Sequence, residues 1–126
     1  MVREKHNQHY RASIQAWDFI VPNKMSFLAG NILKYVERYD RKGTPLQDLE
    51  KALDYTNKYI ENIDYHQPCE EVVSMGEYLF ANQIEGTKKE IIIQLFHADL
   101  TGNIECLREV AWHIQKIIGD YDGNQK

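Results

Sequence analysis

Residues 87–100 read TKKEIIIQLFHADL, and the fold class turns on them. Ile91-Ile92-Ile93 is β-branched throughout, which suits a short buried strand. Two features favour a helix instead. Thr87 and Glu90 have the spacing of a capping box placed ahead of an apolar run. The apolar residues then continue through Leu95, Phe96, Ala98 and Leu100, well past the usual length of a strand. With this run helical, no alternation of strand and helix remains along the chain, and the expected class is all-α.

The neighbouring segments agree. Downstream, Thr101-Gly102-Asn103 is a turn, and Ile104, Leu107, Val110, Ala111, Ile114, Ile117 and Ile118 define a strongly amphipathic helix ending near Gly119. Upstream, Gly86 closes a weaker helix over residues 69–84, itself separated by Tyr65-His66-Gln67-Pro68 from a helix over 46–64. That helix starts at Thr44-Pro45 and carries a narrow seam of Leu46, Leu49, Leu53, Thr56, Ile60 and Ile63. A first firm helix spans residues 24–40, and Pro22 implies a turn around Val21. The sum is one domain over residues 1–126, a bundle of four or five helices with short connections. The apolar density of 91–100 and 104–118 exceeds what a small monomer readily hides, so a homo-oligomer is expected.

Composition narrows the function. The net charge of -4 excludes a whole-surface basic field for duplex nucleic acid, though not a local cationic pocket. No unbroken apolar run exceeds four residues, so no membrane span is expected. MVREKHNQHY at the N-terminus has no apolar core and does not read as a secretory signal. The two isolated cysteines, Cys69 and Cys106, fit a reducing cytoplasm. No GxxxxGK[ST], GxGxxG, HExxH or GxSxG motif occurs. The five histidines lack metal-ligand spacing, and no metal set is expected.

A different constellation lies in the first 60 residues. Asn31, Lys34 and Arg38 share one face of the first firm helix, and Asp48, Lys51, Ala52 and Tyr55 share a face of the next. Lys and Arg can neutralise a phosphate, with Arg able to grip it bidentately. Asn31 suits a sugar hydroxyl or base edge, and Trp17, Phe19 and Tyr35 offer rings for stacking. The competing reading makes the charges a solvated helix face and the rings core residues.

Residues 9–55 read HYRASIQAWDFIVPNKMSFLAGNILKYVERYDRKGTPLQDLEKALDY, with the pattern HY, IQ-x-WDFI, NK-x-x-F-x-x-GN-x-x-KY-x-x-RY, then K, then DL-x-KA-x-x-Y. This pattern resembles a small phage and prophage family named for its similarity to a deoxynucleoside monophosphate kinase of a T-odd coliphage, which also lacks a P-loop. The resemblance covers roughly residues 9–59, and Ala16 departs from the proline that many members carry. It implies a nucleotide ligand in the cytoplasm of an infected or lysogenic host. It assigns ligand-binding roles to His9, Tyr10, Trp17, Asp18, Asn23, Lys24, Asn31, Lys34, Tyr35, Arg38, Lys42, Lys51 and Tyr55. As a kinase the chain would use ATP, with magnesium where Asp18 or Asp48 could hold it, and Lys34, Arg38 and Asp48 would be the catalytic set. The alternatives are a non-catalytic sponge for a nucleotide or cyclic nucleotide signal of host anti-phage defence, and a helical module whose seam binds a host protein. Residues 68–126 resemble no family and are expected to supply C-terminal, oligomerising helices.

Overall fold

The computed structural model describes residues 14–124, and within them the chain is all-α. The helices are α1 (Ala16–Ile20), α2 (Phe27–Arg38), α3 (Pro45–Glu61), α4 (Met75–Ala81), α5 (Gly86–Thr101) and α6 (Ile104–Asn124), with a 3-10 turn at Ile63–Tyr65. Four of them close a ring. α2 packs on α3, α3 on α6, α6 on α5, and α5 back on α2. Inside it lie Ile32, Leu33, Val36, Leu49, Ala52, Ile91, Ile92, Leu95, Leu107, Val110 and Ile114, all essentially without solvent exposure. The isoleucine triplet is helical, as the apolar continuation predicts. Its start differs from expectation: α5 begins at Gly86 with Glu85 as N-cap, so Thr87 lies inside the first turn and forms no capping box. Gly86, expected to close the preceding helix, opens this one at φ +67.

α1 is short but pinned. Phe19 is fully buried, stacked on Tyr78 at 4.6 Å between centroids and tilted against Phe96 at 5.2 Å. This makes Phe19 a core ring rather than a platform for a ligand. Trp17, on the opposite side of the same turn, is left 67% exposed.

Four other expectations change. The helix over 69–84 shrinks to Met75–Ala81, because residues 69–73 run as a non-helical strap tied elsewhere and Ser74 then caps the helix by accepting from the Glu77 N–H. The last helix passes through Gly119 to Asn124. The apolar faces of α5 and α6 are largely consumed inside one chain, which removes the ground on which an oligomer through these helices was expected. The α3 seam meets the same fate: Leu49 and Thr56 are buried, and Leu53, Ile60 and Ile63 pack against the core.

Candidate functional site

Two polar clusters flank the start of α2. The first is internal. Asn23 has no exposure, and its side chain is filled by the 69–73 strap: Oδ1 accepts from the Val72 and Val73 N–H groups at 2.7 and 2.6 Å, and Nδ2 donates to the Val73 carbonyl at 2.9 Å. Asp99 on α5 is equally buried. It accepts from the Ser26 N–H at 3.0 Å, the Ser26 hydroxyl at 2.8 Å and the Tyr59 hydroxyl at 2.5 Å. Its backbone carbonyl accepts from the Cys69 N–H at 3.0 Å and lies 2.8 Å from His66 Nε2. Ser26 is the N-cap of α2, accepting from the Ala29 N–H. Asp99 therefore fixes where α2 begins. Burial pushes the Cys69 thiol up from 9.0 to about 12, and the neighbouring Asp99 carboxylate adds to the shift. The Tyr59 hydroxyl is raised in the same direction, by burial first and then by its bond to Asp99. Both groups stay protonated and serve as structure.

The second cluster faces outward. A groove of about 460 Å³ runs between α1 and α2, with Trp17, Ile20, Met25, Phe27, Gly30, Asn31 and Lys34 in its wall. Its rings are accessible: Phe27, like Trp17, is mostly exposed, at 76%. The Asn31 amide donates to the Phe27 carbonyl at 2.9 Å, which leaves Oδ1 as an acceptor. Gly30 forms part of the floor, where an added Cβ would meet the Ile20 side chain at 3.2 Å.

Lys34 marks one limit of the groove and leads to the next feature. Its Nζ lies 4.6 Å from the centroid of the Tyr35 ring, and Lys51 Nζ from α3 lies 5.5 Å from the same centroid. Neither ammonium has a carboxylate partner among the described residues. Both ammoniums lie against one ring, and an anion that reaches this edge of the groove meets two cations that no described carboxylate holds. Beyond them a smaller recess of about 340 Å³ is lined by Tyr35, Lys51, Asp54, Tyr55 and Lys58. The Tyr35 and Tyr55 rings are near parallel at 6.0 Å, and Phe27 meets Tyr55 edge-on at 6.3 Å, so groove and recess adjoin.

The structure thus brings Trp17, Asn31, Lys34, Tyr35, Lys51 and Tyr55 onto one face. It sends other expected site residues elsewhere. Asn23 is spent on the strap. Asp48 is buried and accepts from Arg38 Nε at 3.1 Å and the Thr44 hydroxyl at 3.3 Å, so it anchors Arg38 rather than facing a ligand. Lys24 pairs with Glu70 at 3.3 Å on the surface. Asp18 and Lys42 are exposed and line neither recess. His9 and Tyr10 lie outside the described residues. Phe27, Asp54 and Lys58 were missed, although their spacing was available: Phe27 stands four residues before Asn31, and Asp54 and Lys58 stand three and seven after Lys51.

A third hollow, of about 590 Å³, is lined by Glu37, Tyr39, Asp40, Arg41 and Lys88 among others. Its cations are already matched. Lys88 Nζ sits 2.9 Å from Asp40 and donates to the Glu37 carbonyl, and Arg41 pairs with Glu37. Among the described residues no three His, Cys, Asp or Glu side chains gather to hold a metal, and no helix is long and apolar enough to cross a membrane.

A family model described as a protein of unknown function, DUF3310, matches residues 4–57. That span contains every residue of the groove wall and most of the recess. Comparison with curated proteins and with solved structures returns no match.

Proposed function

We propose that the chain binds a nucleotide on the α1–α2–α3 face, with the base and sugar in the groove against Trp17 and Phe27 and the phosphate on Lys34 and Lys51. The observation that carries this reading is the pair of ammoniums over Tyr35, without a carboxylate partner among the described residues, beside a ring-walled groove. Stacking on accessible rings and charge-assisted bonds to phosphate are the two ordinary sources of nucleotide affinity. An interaction module built on the α3 seam has less support, because that seam is occupied inside the chain.

Phosphoryl transfer is the second reading, and Arg38 favours it. Asp48 holds the guanidinium through Nε, a fixed orientation that leaves the terminal nitrogens for an anion one turn from Lys34. Retention without turnover, as in a sponge, needs the same groups and no proton transfer.

The test is calorimetry with a panel of ribo- and deoxynucleoside mono- and triphosphates, alongside heat extraction of any co-purifying small molecule. Binding with a stoichiometry of one, weakened about tenfold or more in Lys34→Ala, is expected. A full panel that binds neither protein overturns the proposal. Incubation with ATP, magnesium and each monophosphate separates the two readings: diphosphate product supports transfer, and tight binding without product supports retention.

A further inference from the structure

The groove and the recess share their cations. Lys34 belongs to the groove wall, Lys51 to the recess, and both ammoniums rest on the ring of Tyr35, which itself lines the recess. Two aromatic walls adjoin beside these cations, Trp17 and Phe27 in the groove and Tyr35 with Tyr55 in the recess, meeting where Phe27 touches Tyr55. A mononucleotide needs one base platform and one phosphate site. This face has two adjoining platforms with two cations alongside them. Its openness matters as well. A small ligand held alone is ordinarily buried over most of its surface, whereas Trp17 and Phe27 are exposed at 67% and 76%. Exposed rings interleaved with cations are how extended, phosphate-linked bases are held.

Resting on the nucleotide reading above, we infer that the ligand carries two bases joined through a phosphodiester, one base against Trp17 and Phe27, the other against Tyr55, and the linking phosphate between Lys34 and Lys51. Asp54 and Lys58, at the far side of the recess, are then placed to meet the polar edge of the second base or its sugar. Such a ligand exists as a free dinucleotide and as a step within a single strand, and the chemistry recognised is the same.

The test uses the full chain and four homobase sets, each comprising a deoxynucleoside 5′-monophosphate, the 5′-phosphorylated dinucleotide and a ten-residue single strand, followed by tryptophan fluorescence and calorimetry. For at least one base the dinucleotide should bind ten times or more tighter than the monophosphate. Tyr55→Ala should cost dinucleotide binding at least ten times more than it costs monophosphate binding, and Tyr55→Phe, which keeps the ring, should retain the advantage. A ten-residue strand that binds several copies of the protein, each more tightly than the dinucleotide does, identifies the strand as the source. A strand that binds no better than the dinucleotide identifies the free ligand. Monophosphate and dinucleotide binding equally well overturns the inference and leaves the nucleotide proposal standing. No binding by any of these probes overturns the inference, and no binding across the ribo- and deoxynucleotide panel above removes the nucleotide proposal as well.

Discussion

Asn23 and Asn31 lie eight residues apart and have opposite fates. Asn23 is sealed in the interior with three short bonds to a strap about 50 residues away, whereas Asn31 bonds only its own helix and turns an acceptor toward an open groove. The same contrast separates Asp99 from Lys34. The carboxylate has three donors in place, while the ammonium has, among the described residues, only the face of a ring. Polar groups that a fold needs are satisfied by the fold. Polar groups that the described residues leave without partners are the ones available to something else.

The comparison can be broken by mutation. The largest effect belongs to Asp99→Ala, which takes the acceptor from the half-buried Ser26 N–H and hydroxyl and from the buried Tyr59 hydroxyl. With each orphaned donor costing about 1–3 kcal/mol, the loss should reach about 3 kcal/mol or more, read as a lower urea midpoint. A midpoint within experimental error of wild type would mean that the cluster is not the structural one. Asn23→Ala comes next, at about 2–3 kcal/mol, with rapid amide exchange at Val72 and Val73 as a local readout.

Lys34→Ala and Arg38→Ala sharpen the distinction between the two regions. The first should leave the urea midpoint unchanged and weaken nucleotide binding about tenfold to a hundredfold. The second should do both kinds of damage, since it strips the charge partner from Asp48, whose side chain is only 5% exposed. Stability loss in Lys34→Ala, or none in Arg38→Ala, would reverse the assignments. The smallest effect is expected for Gly30→Ala. The added methyl approaches a flexible Ile20 side chain at 3.2 Å, while alanine gains about 1 kcal/mol of helix propensity. The two nearly cancel, and a thermal midpoint displaced by more than a few degrees would show that Ile20 cannot yield.

How much of this was legible depends on how local the cause is. Helical spacing places Asn31 and Lys34 on one face, and the apolar continuation decides Ile91-Ile92-Ile93, because both depend on neighbours within two turns. The role of Asn23 was not legible, since its partners are at positions 72 and 73 and nothing near it in sequence announces them. Asp48 reads as an exposed helix residue until Arg38 is seen across the α2–α3 hairpin. Asp99 did leave a sign. It stands four residues after Leu95 and seven after Ile92, so a charge sits on a stripe that is otherwise core. The strap shortened the expected 69–84 helix for the same reason that Asn23 was misread, through a long-range bond with no local signature.

The residues matched by the family model stop at 57, yet the carboxylate that sets where α2 begins is at 99 and the strap that fills Asn23 is at 72 and 73. The rings and cations are therefore not a portable cassette. Grafted alone onto another scaffold, residues 1–60 would carry the groove's side chains without the group that sets their starting register. A host chain that receives the segment has to supply its own buried acceptor at the mouth of α2. Conversely, a backbone nick in the 66–68 connection should be tolerated for as long as the two pieces stay docked, because the tie between them runs through Asp99 and the strap rather than through the peptide link.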